Sequence, residues 1–273
     1  APNHDTLYTF APVDKDGVYR ICGRKGDETI SSVMLRRNGP NTGQIHGAPI
    51  GEFDVPDMPA DADGNFSFIL SLEKPAGYDG HWIAMNPETT GLVTRHVTTQ
   101  AAQQDGTWSI ERLDRAPAPV RLGDDEVLRS MRNAASFASK LSEFLMNLVK
   151  GMRDRGVNRL EPERYASTGG LQHQLYLQGA FELADDEALI LESEVPETCF
   201  YWSVQLLDPF FAGIDPVVHQ SSLNGDQVGV DPDGKVRLAI SARDPGVANW
   251  LDTGGWGKGA MIWRWHSASS YPI

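Results

Sequence analysis

No apolar run in this chain reaches the roughly 18 residues that a membrane-spanning helix needs, so no membrane partner is expected. Basic residues are in short supply. Lys and Arg number 24 against 37 Asp and Glu, for a formal net charge of −13. A diffuse negative field argues against nucleic acid and anionic lipid as partners. The same charge also serves plain solubility. Cysteine is scarce too, with Cys22 and Cys199 alone, each inside an apolar, strand-like run and neither in a Cys-x-x-Cys pair. They read as buried free thiols of a reducing compartment, with a disulfide between them as the other option. No signal-peptide pattern is visible, and the expectation is a cytoplasmic protein.

Familiar chemical signatures are missing as well. No Gly-x-Gly-x-x-Gly follows a strand, and there is no P-loop, no Gly-x-Ser-x-Gly elbow and no His-Glu-x-x-His. No cofactor is therefore expected. The seven histidines, His4, His46, His81, His96, His173, His219 and His266, form no local pair, so no metal site is expected either.

What is present is a globular composition over 273 residues, 40% hydrophobic and 22% charged. Residues 1–120 read as short strands rich in β-branched and aromatic residues: Leu7–Val13, Val18–Arg24, Thr29–Arg36, Phe66–Leu72, His81–Met85, Leu92–Thr98 and Thr107–Leu113. Asp16-Gly17, Asn38-Gly39-Pro40, Asp63-Gly64-Asn65, Asp79-Gly80 and Asp105-Gly106 supply the turns. That pattern predicts an antiparallel β-sandwich rather than βαβ units. Residues 121–170 hold one long helix and a linker. Asp124, Asp125 and Glu126 suit the positive end of a helix dipole, and Lys150, Arg153 and Arg155 its negative end, with Gly156 as a stop. Between them apolar residues recur every three or four positions, and the face of Phe137, Leu141, Phe144 and Leu148 reads as core. Residues 171–273 return to strands at His173–Leu183, Ala188–Val195, Phe200–Leu207, Lys235–Ala242 and Ala260–His266. No internal repeat stands out.

Chemistry concentrates between Phe200 and Trp265. In the strand Phe200–Leu207, alternation puts Trp202 on one face and Tyr201, Ser203 and Gln205 on the other. The loop after it offers His219, Gln220, Ser221, Ser222 and Asn224, and His219 is the side chain suited to proton exchange near neutral pH. A second loop carries Asp244, Asn249, Trp250 and Asp252, and either carboxylate could orient His219 or cap its own turn. Trp263 and Trp265 share a face, and Arg264 between them pairs with a carboxylate or binds an acidic ligand group.

Three motifs in this region resemble the domain of unknown function 1214 family. They are Tyr201-Trp202-Ser203-Val204-Gln205-Leu206-Leu207-Asp208, His219-Gln220-Ser221-Ser222-Leu223-Asn224 and Asp244-Pro245-Gly246-x-x-Asn249-Trp250-Leu251-Asp252-Thr253. The opening Asn3-His4-Asp5-Thr6-Leu7-Tyr8 is similar to that of the companion domain 1254, with His4 in place of proline. The resemblance implies a β-sandwich followed by a C-terminal jelly-roll-like domain, and a small-molecule ligand. The functional expectation is a cofactor-independent acid/base enzyme, a lyase slightly ahead of a hydrolase or isomerase, for an apolar or aromatic molecule bearing hydroxyls. His219 would be the acid or base, with Asp244 or Asp252 tuning it. Gln205 and Asn224 would hold a substrate oxygen in a cavity between the sheets, walled by Tyr201, Trp202, Phe210, Trp250 and Trp263, with Asn249 and Arg264 nearby. The alternative is a non-catalytic protein binding a small molecule or carbohydrate through exposed tryptophans. A homodimer is expected through the helix.

Overall fold

A computed structural model describes residues 3–47, 49–115, 122–165 and 170–271. Its elements are mostly strands: β1 (Thr6–Pro12), β2 (Tyr19–Arg24), β3 (Ile30–Arg36), β4 (Pro49–Asp54), β5 (Asn65–Ser71), β6 (Trp82–Ala84), β7 (Gly91–Val97) and β8 (Thr107–Arg112). The helix α1 (Asp124–Arg155) follows, then β9 (Glu161–Glu163), β10 (Gln174–Glu182), β11 (Ala188–Glu194), β12 (Cys199–Leu207), β13 (Ser222–Asn224), β14 (Lys235–Ser241), β15 (Trp250–Asp252) and β16 (Lys258–Ala268). The chain divides into two compact units, Thr6–Leu141 and Ala1–Asp5 with Ser142–Ile273, so the boundary falls inside the helix. No described helix is long and apolar enough to cross a membrane.

The N-terminal unit is a sandwich of two four-stranded sheets, ordered β1-β7-β3-β4 and β6-β5-β2-β8. Strand alternation builds it: Val33, Leu35 and Leu92 from one sheet meet Ile21, Phe68 and Leu70 from the other. Each such buried side chain contributes about 1.5–3 kcal/mol over its exposed state. The Asp61–Gly64 turn shows how local chemistry sets a hairpin. Asp61 Oδ1 accepts from the backbone N–H of Asp63 at 3.0 Å and Asn65 at 2.8 Å, and Gly64 takes φ +82°. The first half of α1 is held by polar bonds to the loop at Asn41–Gln44. Asn133 Nδ2 donates to Asn41 O at 2.7 Å and Ser136 Oγ to Gly43 O at 3.0 Å.

The C-terminal unit pairs a five-stranded sheet, β13-β12-β16-β10-β9, with a three-stranded one, β11-β14-β15. Between them lie Trp202, Val204, Leu206, Trp263 and Trp265 on one side and Leu191, Leu238, Ile240 and Leu251 on the other. The opposite face of the larger sheet is covered in part by the second half of α1, where Val149 and Met152 pack on Ala180, Leu207, Phe211, Ala260 and Ile262. The expected apolar helix face is buried only there. Phe144 is exposed, as are Val127 and Met131, because this α1 stripe rests on one sheet face for only its last turns. Part of the expected linker is a strand: β9 adds to β10 through Tyr176, Leu177 and Gln178. Thr168 and Gly169 of that stretch lie outside the described residues. Cys22 and Cys199 are free thiols, each half-buried rather than buried.

The two units repeat one topology, although no repeat is evident in the sequence. The order β1-β7-β3-β4 recurs as β10-β16-β12-β13, and β6-β5-β2 as β15-β14-β11. In both units the first two strands of this second order pair in parallel, β5 with β6 and β14 with β15. Details recur as well. Asp231 and Gly234 repeat the Asp61–Gly64 turn, with φ +81° at Gly234. Ser71 Oγ donates to Glu73 O at 2.7 Å, and Ser241 Oγ to Arg243 O at 2.8 Å.

Candidate functional site

In antiparallel sheets, directly paired residues share a face, so register alone assembles a surface. On the α1-side face of the larger C-terminal sheet, Gln174, His266 and Tyr201 form one row. Tyr176, Arg264, Ser203 and Asn224 form the next. Gln178, Ile262, Gln205 and Ser222 form the third. Polar side chains thus occupy what would ordinarily be an apolar buried layer. Arg264 is 2% exposed, and Ser203, Gln205 and Asn224 are buried with it.

Residues from the start of the chain complete this face. Tyr201 OH lies 2.9 Å from Asp5 Oδ2 and 2.8 Å from Ser203 Oγ, and accepts from Asn3 Nδ2 at 2.9 Å. Asn224 Nδ2 donates to Asp5 Oδ1 at 3.1 Å. Arg264 Nη1 donates to Gln205 Oε1 at 3.3 Å. Burial lifts the Asp5 carboxyl above its ordinary value, against the bonds from Tyr201 and Asn224 and the charge of Arg264. Burial, then the negative charge of Asp5, also raises the Tyr201 phenol. Burial and then the Arg264 charge hold the His4 imidazole below its ordinary value, and Asp215 opposes them. A Cβ at Gly213 would sit 2.6 Å from His4 Nε2 and 3.3 Å from Gln205 Nε2, so the 208–221 loop presses its backbone against both. Among the described residues, buried polar atoms on this face without a hydrogen-bond partner include His4 Nδ1, Gln205 Nε2, Gln174 Oε1 and Gln178 Oε1. Such groups cost on the order of 1–3 kcal/mol each unless something else satisfies them.

The same loop ends in a second constellation. His219 Nδ1 lies 2.7 Å from Asp252 Oδ2, with the imidazole 35% and the carboxylate 15% exposed. Asp252 Oδ1 accepts from Gly254 N–H at 2.8 Å, and the Asp252 N–H donates to Gln220 O at 2.9 Å. These bonds fix the carboxylate, and through it the ring. The imidazole is left with Nε2 beside Gly254, whose φ of +60° and missing Cβ allow the close approach.

Four expected site residues therefore converge on the sheet face, Tyr201, Gln205, Asn224 and Arg264, and two pair with each other, His219 in its loop and Asp252 at the end of β15. Others are placed elsewhere. Trp202 and Trp263 fill the space between the sheets with Trp265. Ring centroids lie 5.2 Å apart for Trp202–Trp265 and 5.3 Å for Trp263–Trp265, so stacked indoles occupy the volume where a cavity was expected. Phe210 is exposed, because Asp208 Oδ1 caps the turn at Phe210 and Ala212, and Phe211, at φ +66°, turns into the core instead. Asp244 does not orient His219; it caps its own turn through Gly246 N–H at 2.7 Å. Asn249 Nδ2 donates to the Gly229 carbonyl of the neighbouring loop and to the Arg237 carbonyl of β14, and Trp250 Nε1 donates to Ser241 O at 3.1 Å. Sequence reasoning had no place for Asn3, His4 and Asp5 in the site. Their only signal was the opening motif, which sequence distance separates from everything they touch.

Residues 181–270 match the family described as Protein of unknown function (DUF1214). A crystal structure of an uncharacterised protein from Burkholderia cenocepacia is similar at 29% identity, with a TM-score of 0.90 over 100% of this chain and 75% of that one. A protein from Vibrio parahaemolyticus shares the fold at 13% identity, with a TM-score of 0.57 over 99% of this chain and 88% of that one. No curated protein matches the chain.

Proposed function

We propose that this chain is a cofactor-independent acid/base enzyme, lyase-type ahead of hydrolase or isomerase, acting on a hydroxylated small molecule with an apolar or aromatic body. The observation that carries this reading is the 2.7 Å contact between His219 Nδ1 and Asp252 Oδ2. A carboxylate on Nδ1 fixes the tautomer that leaves Nε2 as the base, and it stabilises the imidazolium once a proton is taken. In an elimination, Nε2 would take a proton from carbon and return it to the departing hydroxyl oxygen as water forms. The partly open ring suits a proton exchanged with a ligand. The polar sheet face supports the same reading as a place for the oxygen-bearing end of a ligand, since His4 and Gln205 hold polar atoms that no described residue satisfies.

The test starts from a thermal-shift screen of hydroxylated aromatic acids and alcohols, followed by product analysis of the stabilising compounds. His219→Ala and Asp252→Asn are each expected to lower turnover by about 10²–10⁴-fold, the range of a lost general acid–base. Unchanged turnover in His219→Ala would end the assignment. A second reading, non-catalytic binding, is favoured by those unsatisfied atoms alone, and a stabilising ligand that is never converted would select it. The tryptophan platform for a carbohydrate has no support in Trp202, Trp263 and Trp265, which are core residues.

The exposed apolar residues Met131 and Phe144 on α1 support a homodimer, which light scattering at micromolar concentration tests. The two free thiols support a reducing, cytoplasmic setting. The opening Asn3–Tyr8 supports kinship of the first unit with the companion domain 1254.

A further inference from the structure

The repeated topology makes each position of one unit comparable with one of the other. Tyr8 pairs with Arg95 as Tyr176 pairs with Arg264, which registers β1 and β7 on β10 and β16. Ser32 beside Arg95 and Ser203 beside Arg264 register β3 on β12 in the same way. On the opposite, core-facing side the two units differ in kind. Where the C-terminal unit has Leu177, Trp263, Trp265 and Trp202, the N-terminal unit has Thr9, Thr94, His96 and Ser31. The fold therefore accepts an apolar layer at these positions. Buried polar groups there cost stability unless they are paired, so their presence in the first unit asks for a reason beyond packing.

These side chains and one carboxylate form an ordered chain of contacts. His96 Nδ1 lies 2.8 Å from Glu28 Oε1, with the two side chains 1% and 2% exposed. On the other side of the ring, His96 Nε2 lies 3.1 Å from Thr94 Oγ1, and Thr94 Oγ1 is hydrogen-bonded to Thr9 Oγ1. Burial works against the Glu28 charge, but bonds from His96, Ser31 and its own backbone hold the carboxyl below its ordinary value. An ionised carboxylate only accepts, so Nδ1 carries the proton and Nε2 of the neutral ring accepts from Thr94. Thr94 has then used its proton, and Thr9 donates to it. This chain ends at the surface. Thr94 and His96 are buried, whereas Thr9 stands exposed on the edge strand β1. Leu7, two positions along the same strand face and about 7 Å away, is exposed as well. Trp108 of the other sheet's edge strand β8 comes within 5.8 Å of the His96 ring, and Ile110, on the same face of β8, is exposed. The open edge is thus bordered by apolar side chains.

We propose that Thr9 is an acyl-accepting nucleophile, activated through Thr94 by the Glu28–His96 pair, and that its substrates are esters of small apolar acids. A hydroxyl bonded to a base, with the base oriented by a carboxylate, is the arrangement that makes a weak nucleophile reactive. Thr9 Oγ1 bonds to the ester carbonyl carbon as its proton moves to Thr94, whose own proton moves to His96 Nε2. Glu28 stabilises the imidazolium that results. The bond to the ester's alkoxide oxygen then breaks, and the proton returns from His96 through Thr94 to the departing alcohol. Water next attacks the acyl carbon and gives its proton through Thr94 to His96. The bond to Thr9 breaks as that proton returns to Thr9 Oγ1, leaving the free acid. Leu7 gives the acyl group an apolar neighbour on the same strand face. The site stands wholly on the first unit and does not use His219 or Asp252.

The test treats the whole chain with an alkyl fluorophosphonate, which bonds irreversibly to an activated hydroxyl with loss of fluoride. Peptide mass spectrometry locates the adduct, which is expected on Thr9. His96→Gln and Thr94→Val are each expected to slow that labelling by about 10²-fold or more, the scale of a lost general base. Valine matches threonine in shape, so Thr94→Val keeps the test informative if His96→Gln does not fold. Thr9→Ser is expected to retain labelling at position 9. An excess of p-nitrophenyl butyrate is expected to slow the labelling of Thr9 by occupying the same hydroxyl. No adduct on Thr9, or an adduct on other residues alone, would overturn the inference. So would labelling of Thr9 as fast in Thr94→Val as in the parent, or labelling that the ester does not slow.

Discussion

Asp5 is the residue whose environment has the clearest consequence. Its carboxyl is buried against Tyr201 and Asn224, and burial raises its pKa above the ordinary carboxylate value. An acid with a raised folded pKa binds protons more tightly when folded, so it favours folding at low pH and loses that contribution as pH rises through the folded value. Stability of the native chain relative to Asp5→Asn is therefore expected to increase as pH falls from 7 towards 4. Melting curves of both proteins at unit intervals of pH check this, and parallel profiles would refute it. Gly213 makes the same region sensitive to volume. Gly213→Ala brings a methyl group 2.6 Å from His4 Nε2, so His4 has to shift. A loss of about 1–3 kcal/mol is expected in denaturant melts, as for other overpacked sites. A neutral result would show that the loop does not press on the imidazole.

At the level of elements, most of the architecture is readable before any coordinates. Asp124–Glu126, the apolar spacing and Gly156 mark α1, and the structure ends that helix at Arg155 with Gly156 at φ +123°. Long strands such as β3, β5, β12 and β16 announce themselves by β-branched and aromatic residues between Asp-Gly turns. β4, β9, β13 and β15 do not. β4 opens on Pro49 and contains Gly51, β9 is centred on Pro162, and β13 and β15 span three residues each, too short for a period to show. The same limit hid part of the site. Alternation in β12 places Tyr201 beside Gln205, yet nothing local to Asn3-His4-Asp5 says that a strand some two hundred positions later receives it. The antiparallel pairing of β16 between β12 and β10 offers a test of how tightly these strands are set. A Cβ at Gly259 would fall 2.2 Å from Leu207 O and 2.7 Å from Phe181 Cζ. The first of these is backbone and cannot swing aside. Gly259→Ala is expected to cost more than about 3 kcal/mol, the upper range for overpacking, and a melting temperature within a degree or two of the parent would contradict this close packing.

On the scale of the whole molecule, the repeated topology places a polar row on one layer of each unit, on the side away from its sandwich core. The sequence hides the repeat because the core residues differ, Thr94 standing where Trp263 stands and His96 where Trp265 stands. The first residues of the chain hold an unusual position. They precede the first strand of one unit but belong by contact to the other, where Asn3 and Asp5 satisfy Tyr201 and Asn224. Those bonds close a loop of nearly two hundred residues, so their loss is felt at the edge pair β12–β13 rather than at β1. The double variant Asn3→Ala/Asp5→Ala leaves the Asn224 amide without its carboxylate and removes the charge that faces Arg264. Hydrogen exchange is then expected to quicken across Cys199–Asn224 by about tenfold or more, the effect of losing upwards of 1.4 kcal/mol of local stability. Protection of β3 and β7, which lie in the other unit, is expected to hold. Uniform acceleration of both regions would mean that the chain start supports the whole protein, and unchanged exchange at β12 would mean that these bonds add nothing to the face they cover.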